Sequence, residues 1–273
     1  MHDLSAALGP AGTNLEPWAV EQAEGAGVAS QAELQAVTQR KEELRERVWA
    51  LLERQGVLRR PARGKIPNFI GADEAAHRLA ALPAWRSARV LKSNPDKAQL
   101  PVRARALAEG KLLFMAVPRL AHKLPFFLLD PATLSVPPVE AAVHETAETI
   151  ARKVAVSELH PVDLVVCGSV AVNRNGVRLG KGGGYADLEM ALLVEAGLVS
   201  EQTVIATTVH ASQVVDEPLP ETEHDFRVDL IVTPGAVIAC GAPRRPPGVM
   251  WEHLSAEKIA AVPVLASLVA RRP

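Results

Sequence analysis

The chain has 273 residues, 48% of them hydrophobic and 22% charged, with a formal net charge of -1. This is ordinary globular composition, long enough for one large α/β domain or two small ones and too evenly charged for a polycation built to hold nucleic acid. Its two cysteines, Cys167 and Cys240, give neither a disulfide framework nor zinc-ligand spacing; with no apolar run long enough to span a bilayer and no signal-peptide layout at the N-terminus, a reducing cytoplasm is the expected compartment.

In chain order, residues 1–30 are rich in Ala, Gly, Ser and Glu without periodicity and read as a loose tail. From Gln31 the pattern "QAELQAVTQRKEELRERVWALLERQG" places Leu34, Val37, Leu44, Val48, Leu51 and Leu52 at roughly helical spacing, with Gly56 as the stop. Lys41 and Arg45, four apart, lie on that helix, where a solvated basic face is the plain expectation. "RRPARGKIPNF" reads as a linker, "GADEAAHRLAAL" as a helix, "ARVLKSNP" as a short strand and "QLPVRARALAEG" as a helix entered near Pro101. "KLLFMAVP" and "PFFLLD" read as buried strands, and "VEAAVHETAETIARKV" as helical. "VDLVVCGSVAV" is a continuous apolar run of the kind that parallel strands covered on both faces show. "ADLEMALLVEAGL" follows as a helix, "TVIATTVH" and "VDLIVTPGAVIA" as further strands, and a proline-rich, weakly helical extension runs over residues 241–273. Strands alternating with helices predict a three-layer α/β domain over residues 31–240 with a mostly parallel central sheet.

The stretch "GVRLGKGGGYADLE" concentrates four glycines and a lysine in residues 180–184, after a strand and a short turn, "NRNG", and before a helix starting near Asp187. Ligands of parallel α/β sheets sit beyond the carboxyl ends of the strands, where a helix N-terminus offers free N–H groups. Gly180, Gly182, Gly183 and Gly184 let a backbone approach a ligand closely, Arg178 and Lys181 add charge, and Asp187 can hold a Mg²⁺ that bridges phosphates. The spacing is neither a Walker loop nor a dinucleotide fingerprint, and a tight structural turn explains the glycines equally well.

The stretch "GVRLGKGGGYAD" resembles the signature of the 5-formyltetrahydrofolate cyclo-ligase family, usually Arg-Leu-Gly-Tyr-Gly-x-Gly-Tyr-Tyr-Asp-Arg. "SQVVDEPLPETEHDFRVDLIVTP" is similar to the family's second block, with Gln213, Pro220, His224, Asp225, Asp229 and Thr233 in place. "HPVDLVVCGSVAVNRNG" and "KEELRERV" resemble its strand before the loop and its first helix. The chain departs at Lys181, where Tyr is usual, at Ala186 and Leu188, which stand for Tyr and Arg, and at Ala171, Val172 and Asn173, which stand for Ala-Phe-Asp. These departures resemble a divergent branch, the methenyltetrahydrofolate-synthetase-domain-containing proteins.

The resemblance implies a sheet like that of the ribose-phosphate isomerase and CoA-transferase group. It also implies an ATP- and Mg²⁺-dependent ligase that closes 5-formyltetrahydrofolate to 5,10-methenyltetrahydrofolate by phosphorylating the formyl oxygen. It implies further that Lys41 and Arg45 reach ATP from the first helix, that Arg178, Gly180, Lys181, Gly182, Gly183, Gly184 and Tyr185 line the triphosphate, that Arg178 and Tyr185 stand beside the chemistry, and that Asp187 binds the metal. Lost aromatic surface at positions 172 and 186 makes nucleotide binding a firmer expectation than folate binding. The alternatives are a same-fold enzyme on another small acceptor and a nucleotide- or RNA-binding accessory protein, the RNA reading being weakened by 4% aromatic content. His210, His160 and Asp229 read as strand-end and turn residues, His224-Asp225 as a turn in which Asp caps an N–H, and Cys167 as inert core.

Overall fold

In the computed structural model, residues 31–241 and 243–270 are described; the expected loose tail of residues 1–30 lies outside them. The helix at the start, α1 (Gln31–Arg54), ends before Gly56, whose φ of 64° closes the turn. Next come α2 (Ala72–Ala80), the short α3 (Pro83–Ser87), β1 (Val90–Ser93), α4 (Leu100–Ala108), β2 (Leu112–Ala116) and β3 (Phe126–Leu129). The stretch read as one helical segment divides into α5 (Pro138–Ala141), α6 (His144–Ile150) and an edge strand, β4 (Arg152–Val154). Then follow β5 (Leu164–Cys167), β6 (Ala171–Asn173), β7 (Arg178–Leu179), α7 (Tyr185–Glu195), β8 (Val204–Thr208), β9 (Val214–Val215), β10 (Leu230–Val232), β11 (Val237–Ala239), α8 (Ala256–Ala261) and α9 (Pro263–Val269).

The large sheet runs β11-β10-β8-β5-β1-β2-β3-β4. Its centre, β10-β8-β5-β1-β2, is parallel, and the antiparallel strands stand at the two edges. Strand alternation sends side chains to two separate cores. Leu113, Met115, Leu164 and Val166 pack with Leu79, Trp85, Val102 and Ala106 of α2, α3 and α4 on one face. Phe114, Ala116, Val165 and Cys167 pack with Met190 and Leu193 of α7 on the other. Helices, sheet and helix make the expected three layers.

One reading is corrected. "VDLVVCGSVAV" is not one strand: β5 belongs to the large sheet, and β6 joins a small sheet ordered β7-β6-β9. The break falls at Gly168-Ser169. A Cβ on Gly168 would stand 2.8 Å from Ile66 and 2.9 Å from Gln99, so only glycine lets the chain leave the sheet there. The apolar run stays continuous because β6 is buried too, against Leu44, Val48 and Leu52 of α1. The glycine loop therefore follows β7, a strand paired antiparallel with β6, rather than a bare turn. After the loop, Leu188, Ala191 and Leu192 of α7 pack against Val249, Val262, Val264 and Leu265 of the C-terminal extension. No helix among the described residues is long and apolar enough to cross a membrane.

Candidate functional site

The site lies beyond the carboxyl end of β1. The chain leaving β1 there passes through Asn94 and Asp96, and the buried Arg103 guanidinium fixes this turn by donating to the carbonyls of Asn94, Asp96 and Pro95 at 2.6, 2.9 and 3.3 Å. The glycine loop lies against it, with Lys181 Nζ 3.2 Å from Asp96 Oδ1. Within the loop Gly182 has φ 101° and Gly184 φ 65°, conformations that β-carbons disfavour. Helix α7 starts at Tyr185 rather than near Asp187; Gly184 is its N-cap, and no side chain caps the first turn. Asp187 is thus a first-turn carboxylate, two residues inside the helix.

Arg178 is the centre of the arrangement. It is 3% exposed, lies 4.1 Å over the Phe226 ring and donates from Nη2 to Asp187 Oδ1 at 2.9 Å. Burial is the largest influence and works against its charge, but Asp187 and smaller contributions from Asp225 and Glu189, among others, together outweigh burial and raise its pKa above the ordinary value. Its Nε and Nη1 are buried and meet no acceptor among the described residues. Unpaired buried donors on a charged group cost free energy, and they point to a ligand that accepts.

The first helix supplies two more cations. Lys41 and Arg45 are 1% and 2% exposed, so the solvated-face reading fails. Arg45 Nε donates to the Gly180 carbonyl at 2.8 Å and Nη1 to Glu42 at 3.0 Å. Lys41 Nζ donates to both oxygens of Asp225, at 3.1 and 2.8 Å. Asp225 also accepts from the Thr222 N–H at 2.5 Å, so it caps a backbone N–H as read and holds Lys41 besides. Burial pushes the Asp225 carboxyl up, yet Lys41 and the Thr222 bonds outweigh it and hold it below its ordinary range. Deeper in, Lys92 of β1 pairs with Glu189 of α7 at 2.5 Å, and Asn94 donates to the same carboxylate at 3.0 Å. Lys92, Asn94 and Glu189 gave no sequence signal: each is one polar residue inside an apolar pattern, and their meeting depends on the fold.

The remaining residues fall as follows. The Tyr185 ring packs beneath the loop, with Lys258 Nζ 4.1 Å above it, and a Cβ on Gly183 would come within 3.0 Å of it. Val172 is fully buried in the core, so its side chain is packing and offers no platform to a ligand. Cys167 is core and its thiol is pushed up by burial. Asp229 accepts from the Ile205 N–H at 2.7 Å and orients β8, and His210 caps the turn at Ser212 at 3.2 Å. Gln213, fully buried, donates to the Ser169 carbonyl at 2.7 Å and holds the chain leaving β5. A pocket beside the loop is lined by Asp187, Leu188, His224, Gly248, Met250 and Leu254, among others.

Residues 37–234 match the 5-formyltetrahydrofolate cyclo-ligase family. The chain belongs to that family. Among its relatives are methenyltetrahydrofolate synthase domain-containing proteins: that of Bos taurus is 40% identical over 234 residues, covering 84% of this chain and 61% of the relative. That of Homo sapiens is 39% identical over 246 residues, covering 88% and 64%. The chain thus spans less than two thirds of these relatives' length. An NMR structure of Aquifex aeolicus 5,10-methenyltetrahydrofolate synthetase aligns with a TM-score of 0.48 at 21% identity, over 75% of this chain and 94% of that one. The cyclo-ligase match takes in Lys41, Arg45, the whole glycine loop, Asp187 and Asp225.

Proposed function

We propose that the protein is an ATP- and Mg²⁺-dependent cyclo-ligase that converts 5-formyltetrahydrofolate, ATP and no further reactant to 5,10-methenyltetrahydrofolate, ADP and phosphate. The observation that carries this reading is Arg178, a buried guanidinium next to the glycine loop with two nitrogens, Nε and Nη1, that meet no acceptor among the described residues. The residues fit a triphosphate. Gly182 sits at φ 101°, where a side chain would be strained, and its missing side chain leaves the loop backbone open to a ligand beside the Arg45 guanidinium. The uncapped first turn of α7 adds backbone donors and a positive dipole end. One carboxylate, Asp187, suits Mg²⁺, which takes one or two carboxylates and otherwise phosphates and water.

ATP supplies the phosphoryl group that turns the formyl oxygen into a phosphate leaving group, ADP departing, after which N10 of the folate attacks the carbon and phosphate departs; Mg²⁺, which Asp187 would hold, would neutralise phosphate charge. The protein's part is positioning and charge neutralisation. Arg178 directs Nε and Nη1 at phosphate oxygens. Gly182, Gly183 and Gly184 present backbone N–H groups, and Lys181 adds an exposed charge at the rim. Arg45 fixes the loop through the Gly180 carbonyl, Lys41 fixes the segment carrying Asp225, and Tyr185 supports the loop from beneath. Residues 31–240 carry this chemistry as one α/β domain, and Val249, Val262, Val264 and Leu265 of the C-terminal extension cover α7.

The test is to mix protein, ATP, Mg²⁺ and 5-formyltetrahydrofolate and follow the absorbance of the methenyl product. Product formed only when all components are present supports the ligase. Tight Mg-ATP binding without product points to another small acceptor or an accessory role. No nucleotide binding removes the reading altogether.

A further inference from the structure

Behind the pocket wall three donors converge from two distant segments. His224 Nε2 and His253 Nδ1 are 3.1 Å apart, and Glu223 Oε1 is 3.2 Å from His253 Nδ1. One ligand atom from each residue lies within 4.8 Å of the others. The two rings meet edge to face with centroids 5.0 Å apart. A ring nitrogen that faces a second imidazole nitrogen and a carboxylate oxygen can satisfy only one of them by donating its single proton. A cation between them satisfies all three. Around a tetrahedral Zn²⁺ with ligands at about 2.0–2.1 Å, neighbouring donors stand roughly 3.3–3.4 Å apart, close to the two separations here.

We propose that Glu223, His224 and His253 form a binding site for a Zn²⁺-class divalent cation. Two imidazole nitrogens are borderline donors, and with one carboxylate they make a ligand set that favours zinc or a late first-row metal over Mg²⁺, a hard ion that seeks oxygen alone. The site is therefore distinct in chemistry from the metal position proposed at Asp187 and independent of the ligase reading. Three protein donors leave a fourth position for water or a ligand. The placement gives the cation a structural consequence. Glu223 and His224 adjoin Asp225, the partner of Lys41, whereas His253 sits in the short turn Trp251–His253 that precedes α8. Metal binding ties the C-terminal extension to the segment beside the glycine loop and firms the pocket wall that His224, Met250 and Leu254 share.

The experiment uses the full, untagged chain, stripped with chelator and titrated calorimetrically with ZnCl₂ alone. Wild type should take up a single equivalent saturably, and hydrogen exchange of residues 249–269 should slow when zinc is added. His253→Ala should weaken uptake by at least about tenfold and abolish the change in exchange. Glu223→Gln, at an exposed position that leaves folding untouched, should also weaken it. Uptake as strong as that of wild type in His253→Ala and Glu223→Gln, or no saturable uptake by wild type, would overturn the proposal. Retained zinc uptake in a protein that binds no nucleotide would leave this site standing and remove only the ligase reading.

Discussion

Replacing Arg178 with Met separates a ligand-binding guanidinium from a structural one. The methionine keeps an unbranched apolar stem over Phe226 and removes the charge. Two changes in stability oppose each other. Loss of the partner leaves Asp187 with its side chain 15% exposed, so water takes over part of what Arg178 supplied, and the cost falls below the 3–5 kcal/mol of a fully buried broken pair at about 1–3 kcal/mol. Against this, Nε and Nη1, buried donors without acceptors among the described residues, are removed, which returns roughly 1–3 kcal/mol each. On these figures the variant should be no less stable than wild type. Nucleotide binding should move a great deal, because two charge-assisted hydrogen bonds are worth about 1.5–3 kcal/mol each, or two to four decades of affinity together. The assay pairs urea denaturation with calorimetric titration of Mg-ATP. A variant that loses 3 kcal/mol or more of stability while binding nucleotide as wild type does would show that Arg178 is a structural ion pair with hydrated ends, and the reasoning would fail.

Gly182→Val should weaken Mg-ATP binding strongly, since the residue sits at φ 101° and its Cβ would face Arg45 at 3.4 Å; strain of about 1–3 kcal/mol should accompany it in a melting curve, and unchanged calorimetric affinity would rule out the loop as the cradle. Asp187→Asn should abolish Mg²⁺-dependent turnover and also lower the melting temperature, because Asp187 is not an N-cap that Asn could replace but the counter-charge of a buried Arg178; turnover equal to wild type would refute the metal role. Lys41→Met strands the Asp225 carboxylate and should cost about 3–5 kcal/mol in urea denaturation, a value near zero contradicting the pairing. Asp225 titrates below its ordinary value of 3.8, so its stabilisation is complete above that pH and disappears as pH falls through the lower folded value; Asp225→Asn should flatten stability in that acid window alone.

The large sheet was legible where strands were buried on both faces: β2 and β5 are unbroken apolar runs and β8 is apolar up to its closing Thr207 and Thr208, and buried parallel strands carry little else. The strands that escaped notice are short or charged. Strand β4 reads Arg-Lys-Val because it is an edge with one residue facing the core, and β7 and β9 have two residues each, too few for any period to register. The glycine loop announced itself, since positive φ at Gly182 and Gly184 restricts residue choice locally. Lys41 and Arg45 did not, because the partners that bury them are 184 and 135 residues away and periodicity alone reports only a helix face. The Glu223, His224 and His253 cluster is hidden for the same reason: two ligands are adjacent, the third is 29 residues from His224, and no local spacing pattern joins them.

The most direct test of the ligase account follows the formyl oxygen itself. Supplying 5-formyltetrahydrofolate labelled with ¹⁸O in the formyl group, together with ATP and Mg²⁺, and analysing the released inorganic phosphate by mass spectrometry reads where that oxygen goes. Phosphorylation of the formyl oxygen predicts one ¹⁸O in each phosphate released with the methenyl product. Unlabelled phosphate, with the label recovered in water or left in the folate, would contradict it.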